Sequence, residues 1–516
     1  MATGISKRRR GYRRSRLGEE QLKAAQNPYD AVAYPGQPYS HTHPDRLAAL
    51  AILHGLSPAP VERCRVLEVA CGDGANLIPM AYAIPTSEFV GFDLAESPIE
   101  RGQERIRELG LGNVRLFQGD LMELGAGLGR FDYVVAHGFY AWVPEPVRNR
   151  LLALLDEWLT DDGIAFISYN SLPGAYMRTM MREMMRFRTQ GMEDLNERVA
   201  EGFKFLNFLV EERSAGDAYR TLVEAHLRKM EARHPAVTCH DEMSDAYEPV
   251  YFSDFADHAR QHGLQYLSEA ELPPPPDPSY RAEIQSALKE ASGDDLVRKE
   301  QMLDFLRMRA YRETLLCRAD RQVERGFPVD VFRRLQFASQ TTAAPGEGPG
   351  ATAFVLPGGI RMESNHPGVI ALLTQLGEAW PASLGFEELA PLLAGTGLTL
   401  NAEGATLLVR LAVAKMIELR AWRAPVSRTV TERPRASAVC RQEARTEANV
   451  TSLLHKVVNL GDTRVRGLLG LLDGTRDRKE LLVAMKREFA ETTPGELEAG
   501  LEPGLRRVHA MGILEA

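Results

Sequence analysis

The sequence predicts an α/β fold in its first third, built as a doubly wound sheet. A mainly helical middle region and a winged-helix-like C-terminal region follow. Three observations carry this prediction. An apolar strand, Arg65-Val-Leu-Glu-Val69, runs straight into a turn holding Gly72 and Gly74, and an apolar helix comes next. Asp93 closes a second strand nineteen residues after Gly74. Strand and helix patterns then alternate as far as residue 170, as successive βαβ units do.

The first strand reads as buried on both faces because Val66, Leu67 and Val69 leave no polar side. The glycines after it let the backbone turn sharply and let a ligand approach where a Cβ would stand in the way. Glu88 to Asp93 is the second strand. Ser97-Pro98 is read as the cap of a helix ending at Gly110, with proline in the first turn and glycine just past the end. Val114 to Gln118 is a third strand, followed by Gly119-Asp120-Leu121. Phe131 to Ala136 is a fourth, ending at His137-Gly138. Glu145 to Leu159 is an amphipathic helix and Ile164 to Tyr169 a fifth strand. Ligands bind at the carboxyl ends of such strands, where Gly72, Asp93, Asp120 and His137 all fall.

The loop chemistry selects among nucleoside ligands. A dinucleotide fingerprint reads G-x-G-x-x-G and seats a pyrophosphate on the helix N-terminus. Here Leu77 takes the third glycine position, and Glu68 places a carboxylate inside the first strand. That acid repels phosphate and attracts a cation. S-adenosylmethionine carries an amine and a sulfonium and has no phosphate. Asp93 suits the two hydroxyls of a ribose. The segment from Arg65 to Gly74 resembles motif I of the class I methyltransferases, which implies a Rossmann-like methyltransferase sheet with S-adenosyl-L-methionine as cofactor.

The likeness extends beyond that loop. His240-Asp-Glu-Met-Ser-Asp-Ala-Tyr-Glu-Pro-Val-Tyr-Phe-Ser-Asp-Phe255 and His262-Gly-Leu-Gln-Tyr-Leu267 resemble the methyltransferase regulatory domain of bacteria. Together with Tyr29-Asp-Ala-Val-Ala-Tyr-Pro35, Thr42-His-Pro-Asp-Arg46 and His137-Gly-Phe-Tyr-Ala-Trp-Val-Pro144, they are similar to the bacterial, rickettsial-type protein lysine methyltransferases. The resemblance implies a cofactor domain, a dimerisation element, a middle domain, a C-terminal domain and a central open cavity. It also implies a cofactor-binding set: Glu68, Ala70, Cys71, Gly72 and Gly74 in the loop, Asp93 and Leu94 at the second strand, and Gly119, Asp120 and Leu121 bracketing the adenine. Tyr34 and Tyr39 join this set from a lid spanning Asn27 to Leu56.

Methyl transfer to an amine needs an aligned nucleophile that has lost its proton. A lysine amine titrates near ~10.4, so its environment must depress that value or accept the proton. Residues 137–144 offer aromatic faces for a developing cation. His137, Tyr140 and Trp142 are the catalytic candidates. His137 is either a general base or a hydrogen-bond partner of the cofactor. Tyr140 and Trp142 either line the acceptor channel or pack the loop. Tyr169 and Asn170 face the same cleft. Asp241 and Glu242 either draw a lysine inward or are simply solvated. Amino-methylases of nucleobases carry Asn/Asp-Pro-Pro-Tyr/Phe where this chain has Ala-His-Gly-Phe, which argues against a base amine as acceptor. The expected activity is methyl transfer to protein lysine. The alternatives are O- or N-methylation of a small metabolite and a non-catalytic sensor of the cofactor.

Composition bounds the rest. The chain has 516 residues, 44% of them hydrophobic, and a formal net charge of −8. It has no apolar run long enough for a membrane span and no secretory leader pattern. Five scattered cysteines point to reduced thiols and a cytoplasmic protein. Lys7 to Arg16 holds seven basic residues in ten, read as a solvated arm; nucleic acid is an unlikely partner except through it. The expected organisation is a basic tail over 1–26, a cofactor domain over 27–190, a helical regulatory domain over 191–340 and a winged-helix-like domain over 352–516. A homodimer follows from resemblance alone.

Several further features bear on this layout. Met177, Met180, Met181, Met184 and Met185 form a stripe at helical spacing, read as core or as an interface. Pro273 to Pro276 and Thr341 to Ala351 read as linkers, and Val297 to Arg318 as an amphipathic helix. Helices around Gly368–Gly377 and Val465–Gly474 echo each other, each followed by a Glu-Leu helix. No metal site is expected. His41-x-His43 lacks a completing ligand, and Cys239, His240, His258 and His262 make a poor set.

Overall fold

The structure is a computed structural model that describes residue 30, residues 32–272 and residues 282–516. The basic tail, Tyr29 and the Pro273–Pro276 segment lie outside the described residues.

The elements follow one another as an α/β fold requires. Helix α1 (Pro44–Leu53) opens with proline in its first turn, and the His43 ring caps it by accepting from the Asp45 amide; Leu47 to Leu53 are all buried. Then come β1 (Arg65–Val69), α2 (Leu77–Ala83), β2 (Glu88–Asp93), α3 (Glu96–Leu109), β3 (Val114–Gln118), β4 (Phe131–Ala136), α4 (Glu145–Trp158) and β5 (Leu159–Asn170). Gly110 stops α3 in the left-handed conformation expected of a helix C-terminus. Ser97 is not its cap. Asp93 accepts from the Ala95 amide at the helix entry, and the Ser97 amide donates to Asp30 of the N-terminal segment.

Helix α5 (Tyr176–Arg188) leads into α6 (Leu195–Glu211), α7 (Ala218–Glu231) and α8 (Pro235–Met243). These four share a core in which Met181 and Met185 meet Leu206, Leu227 and Met243, so the methionine stripe is mainly internal packing. Then follow α9 (Phe252–Gln261), β6 (Leu264–Glu269), α10 (Ala282–Ser292), α11 (Leu296–Arg307) and β7 (Tyr311–Arg318).

One seven-stranded sheet, ordered β3-β2-β1-β4-β5-β7-β6, organises this part of the chain. Strands β1 to β5 pair in parallel, whereas β7 lies antiparallel between β5 and β6. Val66 and Leu67 point to opposite faces, one packing with α1 and α2 and the other with α4. Strand order reverses between β1 and β4, which opens a crevice at their carboxyl ends.

Two sequence expectations are corrected here. Val297 to Arg318 is not one helix: α11 ends at Arg307, Met308 turns through φ 48°, and β7 follows as a central strand. Its Arg312 has the look of a polar helix face in the sequence, but it is 1% exposed inside the sheet. There it is held by Glu269 at 2.6 Å, Asp304 at 2.8 Å and Glu300 at 3.1 Å, with the Phe252 ring 3.9 Å away. Thr341 to Ala351 is not a plain linker either. Thr342–Pro345 pairs with Thr352–Val355, and Arg361–Ser364 completes a three-stranded meander.

Beyond it, helices Pro367–Ala379 and Phe386–Leu393 realise the first echo, and Thr463–Leu471 and Arg478–Glu488 the second. The last unit adds helix Pro494–Ala510 and the hairpin Asn449–Thr451/Val457–Asn459. This C-terminal part grips the sheet domain directly. Arg105 of α3 pairs with Glu443 and donates to Gln442 at 3.0 Å, and the Asp45 carboxylate accepts from the Ala421 and Trp422 amides. No helix among the described residues is long and apolar enough to cross a membrane.

Candidate functional site

The loop after β1 is left-handed at alternate residues, with φ 56° at Ala70, 55° at Gly72 and 72° at Gly74. Only glycine adopts that conformation without cost, so Ala70 carries strain of about 1–3 kcal/mol at the edge of the crevice. The two glycines differ in purpose. A Cβ on Gly74 would lie 2.6 Å from Leu116, so Gly74 serves packing; a Cβ on Gly72 would meet nothing within 4 Å, so Gly72 faces open space. Cys71 is buried beneath this loop.

Glu68 sits under the loop, 4% exposed. Its Oε1 accepts from Asn76 Nδ2 at 2.8 Å, while its Oε2 is buried with no hydrogen-bond partner. Burial, partly offset by Asn76, pushes its carboxyl up to about 8. An unmatched buried carboxylate oxygen costs free energy until a donor arrives, and a cationic amine is the donor that best repays it. Asp93 is fixed by the Gly72 amide on Oδ2 and the Ala95 amide on Oδ1, both at 2.9 Å, with lone pairs left for a diol. Gly119 is tied to the Asp93 carbonyl, and Asp120 Oδ1 accepts from Met122 N at 2.8 Å. Leu94 is 59% exposed and Met122 46%, apolar side chains beside the two acidic corners that a flat base would cover. Leu121 points into the core, so any contact it makes with a base runs through its backbone. These features fit S-adenosylmethionine.

The N-terminal segment crosses this crevice. Gly36 lies against Asp73, where a Cβ would stand 2.5 Å from its Oδ1, and the Tyr39 amide donates to Asn76 Oδ1 at 2.9 Å. The Tyr39 ring stacks on His137 with centroids 3.8 Å apart. The Tyr34 ring lies 5.8 Å from that of His240, whose Nε2 donates to the Val32 carbonyl at 2.7 Å.

His137 ends β4 among Tyr39, His41, Phe166 and Tyr311. Burial, and secondarily His41, hold its imidazole down at about 3, so it is neutral at physiological pH. Glu313 of β7 enters from the other side, its Oε1 3.2 Å from His41 Nε2. Burial raises its carboxyl to about 7 and lowers His41 to about 4. The nearest ligand atoms of His41, His137 and Glu313 all lie within 4.8 Å of one another. Sequence reasoning missed Glu313 and Tyr311 because both lie on the strand misread as a helix. It passed over Asn76 because only its tertiary partners give it a role.

Tyr140 and Trp142 have ring partners different from those of His137. Tyr140 is buried against Tyr169 and Phe255; its hydroxyl donates to His258 Nδ1 at 2.7 Å, and His258 Nε2 donates to Asn149 at 2.6 Å. Trp142 packs on Tyr247, 4.7 Å away, between Arg178 and Arg182. Asp241 and Glu242 are not free acids, since Arg178 pairs with them at 2.9 and 2.8 Å.

A cavity of about 290 Å³ lies between the N-terminal segment, the middle region and the C-terminal part. Its lining includes His41, Arg46, Glu271, Glu418, Arg420 and Trp422. His41 belongs to this cavity and to the cluster around His137.

Comparison with known proteins gives the same picture. Residues 66–163 match a family described as a methyltransferase domain, residues 235–318 a predicted methyltransferase regulatory domain, and residues 432–499 a PKMT C-terminal winged helix domain. The uncharacterized protein RP028 of Rickettsia prowazekii is 33% identical over 242 residues, covering 46% of this chain and 96% of that protein. The uncharacterized protein RP789 of the same organism is 33% identical over 314 residues, 60% of this chain and 56% of RP789, so the match spans little more than half its length. The solved structure of PKMT2 from Rickettsia typhi in complex with AdoHcy superimposes with a TM-score of 0.81 at 23% identity, over 93% of this chain and 99% of that one, and establishes the shared fold. The chain belongs to the class I S-adenosylmethionine-dependent methyltransferases that carry a methyltransferase regulatory domain, a family similar to the rickettsial protein lysine methyltransferases.

Proposed function

We propose that the protein methylates lysine side chains of other proteins. The observation that carries this reading is the position of Glu313. It is a carboxylate of near-neutral affinity for protons, set opposite the neutral rings of His41 and His137 where an acceptor would meet the cofactor crevice. When bound, S-adenosylmethionine supplies a methyl group already activated by the sulfonium charge. Glu68 matches its amine and Asp93 its ribose. Gly72 leaves room for close approach, and Leu94 and Met122 flank the base.

The chain's remaining task is to deliver an unprotonated amine. A lysine ammonium reaching the cluster passes one proton to the Glu313 carboxylate, leaving a neutral amine and a neutral acid. A base near neutrality is matched to that transfer, whereas His137, held at about 3, is not. The faces of Tyr39, His137 and Tyr311 then border the methylated cation as it forms. PKMT2 of Rickettsia typhi, whose fold this chain shares, supports the same choice by its name.

On this reading the cofactor domain spans 27–190, the regulatory domain 191–340 and the winged-helix-like domain 352–516. The setting is a bacterial cytoplasm, where thiols such as the five buried cysteines stay reduced. A homodimer fits the same family. Incubation with methyl-labelled S-adenosylmethionine and a bacterial lysate tests the activity. Label in protein that survives acid hydrolysis as methyllysine is expected. Label in small molecules would favour a metabolite acceptor, and no transfer despite cofactor binding would favour a sensor.

A further inference from the structure

We propose that the cofactor site is composite, and that His455 of the C-terminal part is a positioning residue that holds Glu68 in its binding conformation through Asn76. The inference rests on the cofactor reading above and adds a participant from outside the methyltransferase domain.

Asn76 is the junction. Its Nδ2 donates to Glu68 Oε1 at 2.8 Å and to Thr42 Oγ1 at 2.9 Å. Its Oδ1 accepts from the Tyr39 amide at 2.9 Å and from His455 Nε2 at 2.8 Å. One amide thereby joins the acid under the loop, two residues of the lid and one residue of the C-terminal part. The Tyr39 N–H can only donate, so it sets Asn76 Oδ1 as the acceptor; the His455 proton therefore sits on Nε2, and this second bond holds the amide the same way round. With the amide reversed, Nδ2 would face donors and Glu68 would lose the partner of Oε1. Glu68 Oε2 already lacks a partner, so a carboxylate released at Oε1 would turn away from the crevice or stay protonated.

His455 is built for this contact. It lies between Thr451 and Val457, in the turn of the hairpin that crosses to the sheet domain, and is 3% exposed. Its φ is 55°, a left-handed conformation unfavourable for a histidine and retained only where surrounding contacts demand it. Its ring lies 5.1 Å from that of His43, which caps α1, and His43 in turn stacks on Trp422. A surface of simple docking contacts already exists around Arg105, Gln442 and Glu443, so fastening the two parts together does not by itself require a strained buried histidine beneath the cofactor loop.

The test is calorimetric titration of the full chain with AdoHcy, using wild type, His455→Ala, His455→Gln and, as a docking control, Arg105→Ala. Melting curves and the KM for S-adenosylmethionine are measured on the same samples. His455→Ala is expected to weaken AdoHcy binding about tenfold and to raise KM while kcat at saturating cofactor changes little, since one positioning hydrogen bond is lost. His455→Gln restores an N–H donor and is expected to recover most of the affinity, and it also stands in should the alanine variant fail to fold. Arg105→Ala is expected to lower the melting temperature more than the affinity. Equal affinity in wild type and His455→Ala overturns the inference alone, as does a loss in Arg105→Ala as large as in His455→Ala. A wild-type protein that does not bind AdoHcy overturns the cofactor reading itself.

Discussion

Tyr39 lies on His137 with their rings 3.8 Å apart, and this stack joins a segment before the first strand to the end of the fourth. The Tyr39 amide is also bound to Asn76, so one residue touches both the start of α2 and the end of β4. The account predicts that Tyr39→Ala lowers kcat/KM by roughly tenfold to a hundredfold through lost positioning, while Tyr39→Phe retains most of it because the stack needs only the ring. Steady-state kinetics of both variants on one protein substrate check this.

Glu68 predicts a proton count. Burial holds its carboxyl at about 8 in the ligand-free protein, so at pH 7 it is mostly protonated. A cationic amine favours the ionised form, so binding S-adenosylmethionine at pH 7 is expected to release close to one proton, and Glu68→Gln to release none. Titration in buffers of different ionisation enthalpy reads the number. A stability effect accompanies it. The folded value lies above the unfolded value of ~4.5, so this group's contribution is fully present below ~4.5 and is lost as pH rises through about 8. Glu68→Gln is expected to flatten the fall in melting temperature of the ligand-free protein across that window.

Glu313 predicts the acid limb of the rate profile. With its carboxyl at about 7, kcat is expected to fall below pH 7 as the base becomes protonated. Glu313→Gln is expected to lose on the order of a hundredfold or more in kcat and to lose that limb, with AdoHcy affinity near wild type. His137→Asn, by contrast, leaves the limb in place, because burial holds His137 near 3, below the working range.

Arg312 predicts a stability effect rather than a catalytic one. It faces Glu269, Glu300 and Asp304 inside the sheet. Arg312→Leu strands three carboxylates and is expected to cost roughly 3–5 kcal/mol, read as a clear drop in the melting temperature of the sheet domain.

Arg312 also shows where the sequence stops being legible. The parallel strands and their loop could be read from the chain because their chemistry is local: Val66, Leu67 and Val69 bury both faces, and Gly72 turns where it must. Strand β7 could not, because a buried arginine balanced by three acids from two other elements looks like the wet side of a helix. Misreading it hid Glu313 and Tyr311. The meander at Thr342–Val355 was disguised by its alanines, prolines and glycines, which read as linker until their pairing is seen. Tyr140 and Trp142 are aromatic residues in the right loop, but the elements that claim them, α9 for one and the Arg178/Arg182 face of α5 for the other, lie far along the chain. His455 had no local signal, since its partner Asn76 is 379 residues away.

The central claim is that the acid beneath the β1 loop holds a cationic, phosphate-free nucleoside. Parallel calorimetric titration of the purified full chain with AdoHcy and with NAD⁺ tests it most directly. The account predicts stoichiometric binding of AdoHcy that Glu68→Gln weakens by an order of magnitude or more, with no heat from NAD⁺. Binding of NAD⁺ with indifference to AdoHcy would contradict it.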